Sequence, residues 1–319
     1  MNILVVIDKI EYKYFEFNDL VTNFWIIKEF SKNHTVYITT MNSLSLRNQQ
    51  AFAQCNKVSL VGENIVFEKK FTSFLIDDFE LVLFRPDPPV DNNYINATYI
   101  FDFVKTAKVI NSPLSIRNFN EKLHSLYFKE YMPESLVSSS LEEIEEFLKS
   151  QQEVILKPLD KCFGSGVFYL KQGDKNTRSI INTVTANQTN FVMVQKYIPQ
   201  GSSGDKRVLT LGDKVLDFCI VKHSTLDDFK FNTHSMDYIS KGTLSLQEKL
   251  SFERVAKKLS ENGILMAGLD VIDGQIIEIN VTSPCYFIKE INSYFDVHLE
   301  QSICNFLLDN SCYNTKNVV

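Results

Sequence analysis

Five apolar residues in succession, 3–7, end at Asp8. A short unbroken apolar run is the pattern of a strand buried on both faces of a parallel sheet. A charged residue at its carboxyl end then sits where open α/β sheets bind ligands. Between 19 and 32 the period changes. Leu20, Val21, Phe24, Ile27 and Phe30 follow helical spacing, and 35–39 returns to a strand pattern. Strand, helix, strand in that order predicts an open α/β sheet. A further buried strand is predicted at 81–84, running into Arg85-Pro-Asp-Pro-Pro.

The later part of the chain reads differently. An acidic amphipathic helix is predicted over 141–149, started by the serines at 138–140. A strand at 154–156 enters a strand–loop–strand segment whose turn carries Gly164 and Gly166. Residues 192–197 form the next strand. Asp205-Lys206-Arg207 opens another that runs to Leu211 and turns at Gly212-Asp213 into 215–221. A helix over 245–262 and a last hairpin, 269–272 and 275–281 around Asp273-Gly274, complete the pattern. The first third is therefore α/β and the rest mixed, with antiparallel hairpins predominating.

Composition narrows the class. Hydrophobic residues make up 44% of 319 positions, enough for a sizeable core, which excludes disordered and fibrous chains. Length points to two or three domains. The net charge of -6 argues against nucleic acid as the main partner. No apolar stretch is long enough to span a membrane, and the N-terminus lacks the pattern of a secretory signal. The six cysteines are scattered without CxxC or metal-ligand spacing, the usage of reduced cytosolic thiols.

Four constellations could carry chemistry. On the last hairpin, Glu278 and Asn280 are two apart and share a strand face, to which pairing across the turn can bring Asp270. Three hard oxygen donors so placed suit magnesium with phosphate oxygens completing its shell; an exposed polar hairpin face is the plainer alternative. Lys157, followed by a loop with Gly164 and Gly166, suits phosphate, or is a surface lysine beside a turn. Arg207, heading an apolar strand two residues after Asp205, could fork a carboxylate or phosphate, or belong to a solvated charge cluster. Arg85 could be presented to an anion by its proline-stiffened loop, or that loop could be a connection only. The five histidines show no H-x-x-H pairing. Cys162 and Cys285 could be nucleophiles, but each reads first as a small buried thiol.

These segments together resemble the prokaryotic glutathione synthetase family. The strings that carry the resemblance are RPDPPVDNNYINATYI (85–100), NEKL (120–123), ILKPLD (155–160), GDKRVL (204–209) and AGLDVIDGQIIEINVTSP (267–284). They stand in the family's order and cover essentially the whole chain. The resemblance implies a mixed α/β, ATP-grasp fold. Its parts would be an N-terminal α/β domain (1–121), a central lid domain (122–200) and a C-terminal grasp domain (201–319).

It also implies an ATP-dependent carbon–nitrogen ligase joining γ-glutamylcysteine to glycine through an acyl phosphate. Lys122 and Lys157 match the family's ATP lysines, and Gln195, Lys196, Tyr197 and Ile198 its adenine connection. Gly164, Gly166 and Asp205 are assigned with them to the nucleotide. Asp270, Glu278 and Asn280 match its ligands for magnesium, for which manganese could substitute. Arg207, Ser283 and Pro284, with Arg85, are assigned to the dipeptide, and Arg207, Lys157 and Lys222 to catalysis. The family implies a cytoplasmic homotetramer, with no nucleic-acid or membrane partner.

The chain departs from the family in two places. Residues 222–240 contain neither glycine nor arginine where the family has a glycine-rich, arginine-bearing loop, and Lys222 stands where the family has arginine. The reading for this loop is an ordered lid, with Phe229, Phe231, Met236 and Tyr238 packed and Lys222 and Lys230 supplying the missing charge. The phosphate loop reads KCFGSG (161–166), bulkier at Cys162 and Phe163 than the family's. Another acceptor amine, or a catalytically silent homologue, would be the alternative functions.

Overall fold

The computed structural model describes residues 1–8, 17–162, 164–199, 204–225, 228–231 and 238–310. The first sheet contains β1 (Asn2–Ile7), β2 (Thr35–Thr40), β3 (Leu44–Arg47), β4 (Gln50–Val61), β5 (Asn64–Phe67), β6 (Thr72–Leu75), β7 (Leu81–Phe84) and β8 (Lys108–Ile110). β1 pairs in parallel with β2 and β7, and β7 with β8, so the two apolar runs are neighbours in the centre. All four side chains of β7 and five of β1 are buried, as the unbroken runs require. Helix α1 (Thr22–Phe30) packs Ile26, Ile27 and Phe30 into the core, while Leu20 precedes the helix and stays exposed; α2 (Asn92–Phe101) follows β7 and α3 (Pro113–Arg117) follows β8 in the chain.

The antiparallel extension at 44–75 has no counterpart in the sequence reading. Its long strand β4 pairs with β2, β3, β5 and β6. Its buried positions begin with Ala51, Ala53 and Cys55. Small residues on the inner face give little apolar contrast, so the two-residue period was faint.

The second sheet is antiparallel, in the order β11 (Phe168–Lys171), β10 (Glu153–Pro158), β12 (Val192–Lys196), β9 (Ser135–Ser138). Two helices, α4 (Leu141–Gln151) and α5 (Thr177–Val184), contribute Ile144, Leu148 and Ile181 to its core. Ser140 caps α4 by accepting from the Glu143 N–H.

The third sheet has the order β17 (Ile239–Gly242), β14 (Lys214–Lys222), β13 (Asp205–Leu211), β18 (Met266–Ile272), β19 (Gln275–Asn280). Helix α6 (Leu246–Glu261) covers one face, packing Phe252, Val255, Ala256 and Leu259 near Val208, Leu269 and Ile276. Asp205 and Arg207 of β13 and Asp270 of β18 point to the other face, whereas Lys206 turns towards α6 and pairs with Glu248 at 2.7 Å. Helices α7 (Ile288–Phe295) and α8 (Leu299–Asn310) return to the first sheet's core, where Ile303 and Leu307 join Ile26 and Phe30. Among the described residues, no helix is long and apolar enough to cross a membrane.

Candidate active site

Strand register builds the centre of the site. Arg207 on β13 lies opposite Asp270 on β18, which lies opposite Glu278 on β19, and Gly268 lies opposite Asn280. Opposed residues of antiparallel strands share a face. The Arg207 guanidinium forks the Asp270 carboxylate, Nε to Oδ1 at 2.8 Å and Nη2 to Oδ2 at 3.1 Å. Gly268 makes room for it: a Cβ there would lie 3.1 Å from Arg207 Nη1 and 3.2 Å from its Cδ. The Asn280 Nδ2 donates to Asp270 Oδ2 at 2.9 Å and to the Gly268 carbonyl at 3.3 Å.

Lys222, at the end of β14, completes the cluster. Its ammonium lies 2.7 Å from Asp270 Oδ1 and 2.6 Å from Asp205 Oδ2. Asp205, Arg207, Lys222 and Asp270 are all buried. Burial opposes every one of these charges, and mutual attraction decides the outcome. Burial would raise the Asp270 carboxyl, yet Arg207 and Lys222 hold it well below the usual carboxylate range. Burial would depress Lys222, but Asp205 and Asp270 outweigh it and raise the lysine. At Asp205 burial outweighs the attraction of Lys222, with Asp270 repelling, and pushes the carboxyl up to about 7. Its Oδ1 is buried and accepts no hydrogen bond among the described residues.

Two lysines face this cluster, Lys157 from β10 of the second sheet and Lys122 from the turn that precedes residue 124. Lys122 pairs with Glu278 Oε1 at 3.1 Å and donates to the Lys161 carbonyl of the glycine-containing turn at 2.7 Å. Burial opposes its charge, but Glu278 raises it above the ordinary lysine range. Lys157 is held at Gln195 Oε1, 2.8 Å, and at the Ile277 carbonyl, 3.2 Å. Burial depresses it, with Glu278 opposing. The turn carries Gly164 and Gly166 at φ +69° and +71°, conformations that favour glycine. Beyond Gln195, Lys196, Tyr197 and Ile198 line a cleft of about 280 Å³ with Met132, Glu134 and Gln275.

Ser283 and Pro284 run between two arginines. Arg207 Nη1 donates to the Cys285 carbonyl at 3.4 Å, and Arg85 Nη2 to the Pro284 carbonyl at 2.9 Å. Arg85 departs from the sequence expectation of a loop-borne anion binder. It is 2% exposed and spends its other donors on Asn23 Oδ1 at 2.6 Å and Met266 Sδ at 3.7 Å. It ends a fully buried strand, so the side chain enters the core rather than following the proline loop outward.

Lys222 also differs from expectation. Its two carboxylate partners engage the ammonium within the sheet, so the charge is not held out on a lid. Short strands β15 (Ser224–Thr225) and β16 (Asp228–Phe231) pair within the 222–240 loop. Met236 lies outside the described residues. The thiols of Cys162 and Cys285 are both pushed up by burial, which disfavours the nucleophilic thiolate.

Three participants escaped the sequence reading. Glu121 Oε1 accepts from the Val281 and Thr282 N–H groups at 2.6 and 3.0 Å, seating the segment after Asn280. Asn111 donates to the Met266 and Val281 carbonyls and accepts from Leu265 and Met266 N–H. Asp87 donates its N–H to Asp8 Oδ2 at 2.5 Å, and the two carboxyls interact. Glu121 stood in the quoted NEKL string beside Lys122; nothing in spacing marked Asn111.

For magnesium, the donor chemistry fits: two carboxylates and an amide on one sheet face, opposite two lysines. Among the described residues, no three His, Cys, Asp or Glu side chains gather to hold a metal by themselves, so the amide of Asn280 is needed.

Comparison with known proteins places this geometry. The family model of the prokaryotic glutathione synthetase N-terminal domain matches residues 1–117, and that of its ATP-grasp domain residues 121–296. The glutathione synthetase of Vibrio parahaemolyticus is 34% identical over 272 residues, covering 84% of this chain and 86% of the relative. That of Buchnera aphidicola is 31% identical over 293 residues, covering 90% of each. Among solved structures, a Chryseobacterium gregarium ATP-grasp ligase with ADP and peptide aligns over 100% of both chains (TM-score 0.64, 15% identity). A D-cycloserine synthetase aligns over 96% of this chain and 99% of its own (TM-score 0.68, 13% identity). The structural likenesses establish the ATP-grasp fold, and the sequence matches go further: this chain belongs to the prokaryotic glutathione synthetase family.

Proposed function

We propose that this protein is an ATP-dependent ligase that joins γ-glutamylcysteine to glycine, giving glutathione, ADP and phosphate. One observation carries the reading. Asp270, Glu278, Asn280 and Arg207 share one face of the third sheet, which Lys157 reaches from the second sheet and Lys122 from the 121–123 turn. Cations and oxygen ligands so arranged suit a triphosphate lying between two sheets, beside a carboxylate to be activated.

The roles follow from position. Lys122 and Lys157 neutralise phosphate oxygens, and the Gly164–Gly166 turn covers them with backbone N–H donors. Gln195 and the 196–198 connection hold the base, and the unpartnered oxygen of Asp205 accepts from a nucleotide hydroxyl. Asp270, Glu278 and Asn280 would hold magnesium, or manganese in its place, which shields phosphate charge during transfer. Arg207 steadies the dipeptide carboxylate and the acyl phosphate, with Ser283 and Pro284 forming the wall and Arg85 anchoring that wall from behind. Lys222 acts by setting the position of Asp270.

The dipeptide carboxylate attacks the γ-phosphorus and ADP leaves; glycine nitrogen then attacks the acyl carbon and phosphate leaves. Catalysis is positioning and charge stabilisation, and it uses no protein nucleophile. Family likeness extends the reading to a cytoplasmic homotetramer.

The test is ADP release with each substrate omitted in turn. The reading requires glutathione to form with a 1:1 yield of ADP only when γ-glutamylcysteine and glycine are both present. Efficient use of a different amine in place of glycine would replace it.

A further inference from the structure

Asp270 is the most heavily engaged carboxylate of the site. Its Oδ1 accepts from Arg207 Nε at 2.8 Å and Lys222 Nζ at 2.7 Å; its Oδ2 accepts from Arg207 Nη2 at 3.1 Å and Asn280 Nδ2 at 2.9 Å. A carboxylate offers about four lone-pair positions. The protein's own donors fill them, and two of the three donor groups are cations. Glu278, the second carboxylate, carries Lys122.

Four cationic side chains (Lys122, Lys157, Arg207 and Lys222) meet three carboxylates (Asp205, Asp270 and Glu278) on this face. Glu121, beside them, is tied to backbone N–H groups. A dedicated cation cage has the opposite balance, with carboxylates in excess over cations.

We propose that Lys222, strapped between Asp205 and Asp270, guards the metal ligand, so that the site admits a divalent cation only together with a nucleotide polyphosphate. This rests on the proposed metal site and adds an order to its filling. A polyphosphate supplies the negative charge that draws lysines from the carboxylates, and its own oxygens complete the metal shell. Linkage makes the effect reciprocal: metal tightens nucleotide as much as nucleotide tightens metal. Lysine suits the guard because its ammonium is a point charge on a flexible stem. An arginine there would bind by a planar fork and release less readily.

The test is Mn²⁺ binding to the full chain, followed by the EPR signal of free Mn²⁺, with and without the non-hydrolysable analogue AMPPNP. Buffer containing AMPPNP alone gives the baseline. The wild-type protein is expected to bind Mn²⁺ about 10–100-fold more weakly without the nucleotide than with it, the usual span of coupling between two ligands. Lys222→Met removes the guarding charge at similar length and should tighten nucleotide-free Mn²⁺ binding at least about tenfold, since a cation near the ligand is lost. Lys222→Arg should keep the weak binding.

Equal wild-type affinity with and without AMPPNP would overturn the guard while leaving the metal site in place. So would a folded Lys222→Met protein with unchanged affinity. Failure of protein and AMPPNP together to hold Mn²⁺ more tightly than AMPPNP alone would remove the metal site itself, and the guard with it. Thermal melting establishes that the variants fold, and the wild-type comparison decides the matter even if Lys222→Met does not.

Discussion

Arg207 makes two parallel bonds to Asp270 through a rigid fork, and lysine has no equivalent geometry. Arg207→Lys is therefore expected to lower kcat/KM at least about tenfold despite the conserved charge, the loss associated with a bidentate contact. Full activity in that variant would reduce the role to a point charge. For Glu278→Ala we expect turnover to fall by about 10³, on the scale of lost charge stabilisation in acyl and phosphoryl transfer. A thermal melt should stay close to wild type, because the side chain is partly exposed. Asp8 makes a prediction about stability. Burial and then Asp87 raise its carboxyl to about 7. The native state then holds a proton that the unfolded chain gives up above about 4, so this contribution is present below that pH and fades as pH rises through about 7. Asp8→Asn should gain stability over wild type between pH 5 and pH 8, by on the order of 1–3 kcal/mol. Denaturant unfolding at those two pH values measures it; an unchanged difference would show that Asp8 ionises freely. The Asp8 position was legible as the polar end of an apolar run, whereas its pairing with Asp87 depended on two distant strands becoming parallel neighbours.

At the scale of elements, strong contrast between apolar and polar positions made the sequence informative. The runs at 3–7 and 81–84 became adjacent central strands, and the hairpin bearing Asp270 and Glu278 formed in the register that puts both on one face. The extension at 44–75 was hidden because its inward positions include Ala51, Ala53 and Cys55. Helix α6 was legible at its start: Ser245 and Glu248 form a capping box, each side chain accepting from the other's N–H. Ser245→Ala should cost about 1 kcal/mol, seen as a small drop in Tm, and an unchanged Tm would show that packing alone sets the helix start. The 222–240 loop tests an element by its removal. Two short strands pair within it, Ser224 with Phe231 and Thr225 with Asp228. Deleting 226–237 is expected to raise ATP hydrolysis per peptide bond formed, because an acyl phosphate open to water is lost to hydrolysis. Unchanged coupling and rate would make the loop dispensable.

The molecule as a whole is held together where its sheets meet, and the site lies at those junctions. Lys157 reaches from the second sheet to the Ile277 carbonyl of the third. Glu121 accepts the Ile279 N–H and seats the segment beyond Asn280. Arg85 ties the first sheet to Pro284. These ties explain why the arrangement beyond the last hairpin was not legible: Lys157, Glu121 and Arg85 belong to separate parts of the chain, and only packing brings them to it. In chemical terms, we propose that a substrate carboxylate is activated by the γ-phosphate between the second and third sheets. Isotope transfer follows the oxygen that such activation moves. With γ-glutamylcysteine carrying ¹⁸O in its cysteinyl carboxylate, ligation with glycine should place one ¹⁸O in the phosphate released for each peptide bond formed. Phosphate whose fourth oxygen comes only from water would rule out the acyl phosphate.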